Sequence, residues 1–249
     1  MGKAIFISGT GTDIGKTIAS TFLKLAYEEM GYRTVVFKPL QTGLTVEGGK
    51  SFYPDIHWYH TELEQSEQDT GLYCMAPAAS PHLAAKLTHT TIEPIKIRGK
   101  IAELCGKYDV VLVEGAGGLA VPIQETWDSF YMTKDLIKEC QMPVILVSPS
   151  GLGAIHDLVV TVQYAESHQL DIGGIIMNHF DQSDSIHHDN FITLKRLHQH
   201  PVLTVIPNFD QPIKAKLVEA AASFAKSDGS KQLKNILEAK KHDESHPTA

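Results

Sequence analysis

Cysteine is scarce in this chain of 249 residues: Cys74, Cys105 and Cys140 stand far apart, with no Cys-x-x-Cys pair. That spacing argues against a disulfide framework or a cysteine-built zinc site and suits reduced thiols. Positive charge is also in deficit. Lys and Arg number 22 against 29 Asp and Glu, a net −7 with His neutral, so a phosphate-rich polymer would be repelled and nucleic acid is not an expected partner. No apolar run reaches the ~18 residues of a membrane span, and Met1 leads into a strand without a basic-then-apolar leader. No membrane partner and a cytoplasmic location are expected. Repeats and interdomain linkers are missing too. The expectation is one domain over 1–239 and a Lys/Asp/His-rich tail, 240–249, without order.

What is present starts at the N-terminus. Gly9-Thr10-Gly11-Thr12-Asp13-Ile14-Gly15-Lys16-Thr17 follows directly on the apolar run Ala4-Ile5-Phe6-Ile7. The order predicts a buried strand, a glycine-rich turn, and a helix from near Gly15 with the apolar stripe Ile18, Phe22, Leu25 and Ala26. Such a loop folds around an anion, points several N–H groups inward and adds the positive end of a helix. Lys16 could then reach β- and γ-phosphates, and the Thr17 hydroxyl could ligate magnesium. The first loop glycine is Gly9 rather than position 10, so the loop is one residue longer than the usual phosphate-loop pattern.

Farther along, Arg33–Phe37 reads as a second strand that Lys38-Pro39 ends. The segment 40–54 has no period and reads as a structureless, functional loop. Asp55 opens a short helix with Ile56 and Tyr59, Ser80-Pro81-His82 leads another, and Ile92–Lys107 is amphipathic. Asp109–Val113 is the β-branched run of a central parallel strand, and it discharges into Glu114-Gly115-Ala116-Gly117-Gly118. Strands are expected at Pro143–Val147, Ile172–Met177 and Val202–Ile206, and helices after Gly153, over 188–199 and over Ile213–Ala225. The alternation predicts a single-domain α/β fold, P-loop NTPase-like, with a mostly parallel, doubly wound sheet and helices on both faces.

In such sheets ligands bind beyond the carboxyl ends of the strands. Lys38 and Thr42, Glu114, Asn178 and Pro207 all fall at strand ends. Glu114 suits a magnesium-directed carboxylate or, more plainly, a cap or solvated acid. Asp55 is recommended only by its place after the loop. Lys38 is either a surface lysine or a second ammonium for a transferred phosphoryl group, and Asn178 is either a turn residue or a ligand contact. The pairs His57/His60 and His187/His188 lack partners for a metal site and read as solvated or core residues.

Together these motifs resemble the dethiobiotin synthetase family. The longer loop Gly9–Thr17, Lys38-Pro39-Leu40-Gln41-Thr42-Gly43, Ser80-Pro81-His82 and Val113–Gly118 occur in the family's order, and the likeness runs from Lys3 to Phe209. The resemblance implies an ATP-dependent cyclo-ligase of biotin biosynthesis. Carbon dioxide adds to one amine of 7,8-diaminononanoate, ATP phosphorylates the carbamate, and the second amine closes the ureido ring, giving dethiobiotin, ADP and phosphate. It further implies Thr12, Lys16 and Lys38 around the carbamate and γ-phosphate, and Thr17, Asp55 and Glu114 around magnesium. The nucleotide would lie against Asp13, Ile14, Gly15, Lys16, Thr17 and Ile18, against Glu114, Gly115, Ala116 and Gly117, and, at the adenine, Asn178, His179, Pro207, Asn208 and Phe209. Thr42 becomes a substrate contact. Family members are homodimers with substrate at the interface, its carboxylate meeting the helix start after Gly151-Leu152-Gly153 of the other subunit. His156 stands where some members place a substrate-tail hydrogen bonder.

The same architecture also serves partner-switched ATPases that use hydrolysis to control a protein interface. Those carry a lysine five residues before the loop lysine, where this chain has Gly11. A non-catalytic nucleotide-binding module is the other reading, and it leaves Lys38 and Thr42 without a purpose.

Overall fold

The computed structural model describes residues 1–209, 211 and 213–238. The chain begins with β1 (Lys3–Gly9), α1 (Lys16–Glu29) and β2 (Thr34–Thr42), then a hairpin of β3 (Thr45–Glu47) and β4 (Lys50–Phe52). Next come α2 (Pro54–Leu63), the single-turn α3 (Glu67–Thr70), β5 (Gly71–Met75), α4 (Pro81–Leu87), α5 (Pro94–Lys107) and β6 (Val110–Glu114). A second hairpin, β7 (Pro122–Glu125) and β8 (Phe130–Met132), leads to α6 (Thr133–Glu139) and β9 (Val144–Pro149). The remainder is α7 (Ala154–Ser167), β10 (Ile172–Phe180), α8 (Ser185–Leu197), β11 (Val202–Pro207), α9 (Ile213–Ala225) and α10 (Gly229–Glu238).

Seven strands form one sheet in the order β11-β10-β9-β1-β6-β2-β5, and every pairing in it is parallel. Alternate side chains divide the core into two layers. Ile5, Ile7, Val36 and Leu112 face one side with Phe22 and Leu23 of α1 and Leu217 of α9. Phe6, Val35, Phe37 and Val113 face the other with Ile97 and Leu104 of α5 and Leu158 of α7. Each such side chain, fully buried, contributes about 1.5–3 kcal/mol, so the central strands are firmly held. The sheet is doubly wound as expected. From β1 the chain first builds toward β5, then returns and builds toward β11, so the β1 carboxyl end opens at the switch point where α/β sheets form their crevice.

Several expectations are corrected. The second strand does not stop at Lys38-Pro39 but runs to Thr42. Its pairing with β6 ends at Phe37, and beyond that β2 is paired only with β5, so Pro39 takes no bond from the central ladder. The segment 40–54 is not structureless: it holds the end of β2 and the β3–β4 hairpin, whose Gly48-Gly49 corner has φ of 57° and 78°. Both positive values are what a two-residue type I′ turn requires. On α1 the fully buried stripe is Ala19, Phe22, Leu23, Ala26 and Tyr27, with Ile18 and Leu25 at its margin. β5, the β7–β8 hairpin, α6 and α10 were not anticipated. The expected tail 240–249 lies outside the described residues. Among the described residues no helix is long and apolar enough to cross a membrane.

Candidate active site

The loop after β1 leads into α1 through Gly15, which has φ 83° and ψ 33°. A left-handed backbone suits glycine, and a second constraint acts here: a Cβ at Gly15 would stand 1.9 Å from Asn178 Nδ2. Asn178, on β10, donates from that amide to the Ile14 carbonyl at 2.9 Å. Lys16 folds back over its loop, its ammonium donating to the Gly11 carbonyl at 2.8 Å. Thr12 Oγ1 lies 3.8 Å from where a Gly117 Cβ would sit, so the loops after β1 and β6 face each other.

Behind the loop, four side chains from separate segments close a ring. Thr17 Oγ1 donates to Asp55 Oδ1 at 2.8 Å and lies 3.3 Å from Glu114 Oε1. Lys38 Nζ lies 2.7 Å from Asp55 Oδ2 and 2.6 Å from Glu114 Oε1. Glu114 is 0% exposed and Lys38 5%. Burial works against the Lys38 ammonium, but the Glu114 and Asp55 carboxylates outweigh it and lift its pKa to about 12. Burial likewise works against the Asp55 carboxylate, yet Lys38, helped by the Thr17 hydroxyl, holds it below its ordinary value. Lys16 is pulled down, first by burial and then by the neighbouring Lys38.

Two aromatic residues of α2 complete this end. Tyr59 OH donates to the second oxygen of Glu114, Oε2, and Trp58 Nε1 donates to Thr21 Oγ1 on α1 at 2.9 Å. Burial first, and then the Glu114 and Asp55 charges, drive the Tyr59 phenol well above its usual pKa, so it stays a donor. By sequence alone Tyr59 reads only as an apolar helix residue. Its spacing of four from Asp55, which places both on one face, was the available signal.

Thr17, Asp55 and Glu114 offer only oxygens, and magnesium takes one or two carboxylates with a phosphate and water completing its shell. The residues fit such an ion. Among the described residues no group of three or more His, Cys, Asp or Glu could cage a metal by itself, so nucleotide oxygens would have to complete the shell.

Other expected site residues lie away from the ring. His179 Nδ1 is 2.6 Å from Asn208 Oδ1 at the exits of β10 and β11, Pro207 is exposed, and Phe209 packs on the core below. Thr42 is four residues beyond Lys38 on β2, about 13 Å at ~3.3 Å per residue. Gly151, Leu152 and Gly153 form the turn before α7. Asn190 Nδ2 ties that turn to α8 by donating to the Ser150 and Gly151 carbonyls at 2.9 and 2.8 Å. Leu152 is 94% exposed at the lip of an open groove of about 550 Å³ that His156, Val159 and Leu197 also line.

An all-parallel doubly wound sheet with a Gly-Lys-Thr loop at its switch point places the chain among proteins with the P-loop NTPase fold. The septum site-determining protein MinD of Pyrococcus horikoshii, solved with Mg-ADP, shares it at a TM-score of 0.51 and 21% identity, over 96% of this chain and 95% of that one. A chain of the MinC:MinD cell division protein complex of Aquifex aeolicus shares it at 0.55 and 12%, over 94% and 96%. These likenesses establish the fold alone.

A family model described as an AAA domain matches residues 3–215. The ATP-dependent dethiobiotin synthetase BioD of Geobacillus sp. (strain WCH70) is 50% identical over 235 residues, 94% of this chain and 96% of that protein. The protein of the same name from Staphylococcus epidermidis (strain ATCC 12228 / FDA PCI 1200) is 41% identical over 202 residues, 81% and 89% of the two. The chain belongs to the ATP-dependent dethiobiotin synthetase family.

Proposed function

We propose that this protein is a dethiobiotin synthetase that joins carbon dioxide to both amines of 7,8-diaminononanoate with the cleavage of ATP. The observation that carries the reading is the second buried ammonium. Beside the loop lysine, Lys38 is held within hydrogen-bond reach of both carboxylates. A nucleotide-binding module has no use for it, whereas transfer of a phosphoryl group to an anionic acceptor brings two like charges together and needs such a counter-charge.

In this reading a carbamate forms on one amine, and its oxygen attacks the γ-phosphorus as ADP leaves. The second amine then attacks the carbonyl carbon of the carbamic-phosphoric anhydride, and phosphate departs as the ring closes. Lys16, Lys38 and Thr12 hold the γ-phosphate and carbamate oxygens. For that, Lys16 releases the Gly11 carbonyl and Lys38 trades its carboxylates for substrate oxygens. Thr17, Asp55 and Glu114 would hold magnesium, which when bound supplies positive charge to the triphosphate. Asp13 through Ile18 and Gly115 through Gly117 enclose the phosphates, and Asn178, His179 and Pro207 through Phe209 hold the adenine. Thr42 contacts the diamine.

The active unit is a homodimer in which the turn Gly151–Gly153 of the partner subunit receives the substrate carboxylate at a helix start. The test is mass-spectrometric detection of dethiobiotin from purified protein, ATP, magnesium, bicarbonate and the diamine, with ADP release dependent on both of the last two. Steady ATP turnover indifferent to bicarbonate and diamine would replace this reading with the partner-switched ATPase.

A further inference from the structure

Glu114 is fully buried at the end of β6, and its two oxygens have different partners. Oε1 faces Lys38 and Thr17 at 2.6 and 3.3 Å. Oε2 accepts from the Tyr59 hydroxyl, which is itself 0% exposed. Tyr59 lies four residues after Asp55 on α2, so one helix face delivers both a carboxylate and the hydroxyl that orients the other carboxylate. That helix is fastened to α1 through Trp58 and Thr21, and Thr21 Oγ1 donates to the Thr17 carbonyl at 2.7 Å. A bare carboxylate at the end of a strand would be free to turn about its last bond and present either oxygen, or both, to a cation. A buried phenol bonded to one oxygen removes that freedom.

We infer that Tyr59 is a positioning residue for the cation end of the site: it holds Oε2 of Glu114 so that Oε1 alone is presented beside Thr17 and Asp55. The inference rests on the magnesium reading given above. Tyr59 touches neither nucleotide nor acceptor in this arrangement and acts through Glu114. Groups that orient metal ligands in this way typically contribute ~10–100-fold to metal affinity. The alternative is a tyrosine that only satisfies a buried carboxylate, and it differs in what it does to metal binding.

The experiment uses the full chain, ADP and Mn2+ as a paramagnetic probe, with free Mn2+ read by electron paramagnetic resonance. Tyr59→Phe keeps the ring packing and deletes the hydroxyl. It is expected to raise the Mn2+ dissociation constant at saturating ADP by ~10–100-fold while leaving metal-free ADP affinity unchanged. In a Glu114→Gln background the same change is expected to add little, because the carboxylate that Tyr59 orients toward the cation is gone. Unchanged Mn2+ affinity in Tyr59→Phe, with affinity reduced in Glu114→Gln, overturns the inference and leaves the metal site standing. Unchanged affinity in both Glu114→Gln and Asp55→Asn overturns the metal site, and the inference with it. The wild-type protein offers a check that no folding defect can obscure. The Cζ resonance of isotopically labelled Tyr59 is expected to keep its hydrogen-bonded position when Mg2+ and ADP are added, and a shift to the free-phenol position would refute the assignment.

Discussion

At the β1, β2 and β6 end of the crevice, four side chains from four segments close a ring of contacts between 2.6 and 3.3 Å around a fully buried carboxylate. At the β9, β10 and β11 end, Asn178 is buried and bonded to the Ile14 carbonyl, and the other expected ligand residues are a pair of polar tips 2.6 Å apart, an exposed proline, a phenylalanine against the core and a turn whose leucine stands almost wholly in solvent. The difference is one of dielectric and of preorganisation. In the first region low polarity strengthens each ionic contact and penalises each missing partner, so the four groups are gathered in one place before any ligand arrives. In the second, one chain supplies a ledge and a groove, and whatever lies against them must supply the rest. In the proposed reaction, chemistry that develops charge is assigned to the first end and recognition of ligand extremities to the second.

Substitutions can break that contrast, and the largest effect is expected at its centre. Glu114→Ala leaves the Lys38 ammonium buried beside a single carboxylate and should destabilise the fold by about 3–5 kcal/mol, read as a lower midpoint in urea unfolding. A loss under about 1 kcal/mol would mean the ring is not the rigid half of the site. Lys38→Gln removes the charge and leaves a polar side chain one atom shorter. It should lower turnover by ~10²–10³-fold with ADP affinity, measured by calorimetry, nearly unchanged. Equal losses in binding and rate would make Lys38 a nucleotide anchor instead.

Smaller changes sharpen the other side. Asn178→Ala removes the bond to the Ile14 carbonyl and should weaken nucleotide binding about tenfold, on the order of 1.4 kcal/mol. Titration with ATP and with triphosphate alone separates the adenine contact from support of the loop. Leu152→Asp should leave single-chain stability within about 0.5 kcal/mol, since the side chain is 94% exposed, yet drive sedimentation equilibrium toward single chains. A dimer that persists unchanged would place the subunit contact elsewhere.

Much of the first region was legible in the sequence because its signals are local. Gly15-Lys16-Thr17 behind an apolar run, and Glu114 ahead of glycines, announce themselves within a few residues. Gly48-Gly49 was legible as a hairpin turn as well, and the expectation of a structureless loop passed over it. Tyr59 was not legible in its role. A tyrosine on an apolar helix face looks the same whether its hydroxyl meets solvent or a carboxylate 55 residues away. The β2 extension past Pro39 was hidden for a related reason: a proline ends a strand unless its neighbour on that side has already gone.

The sequence alone determined the period of the strands and helices, and hence a parallel α/β sheet. It also determined which strand carries the phosphate loop and the identity of the residues that could meet there, because backbone preference and hydrophobic pattern act over a few residues. Tertiary structure alone decided that Lys38, Asp55, Glu114 and Thr17 share one ring, and that Tyr59 takes one oxygen of Glu114 and leaves the other. The order of strands in the sheet, and not their order in the chain, sets which carboxyl ends are neighbours. Burial then makes every bond between them matter.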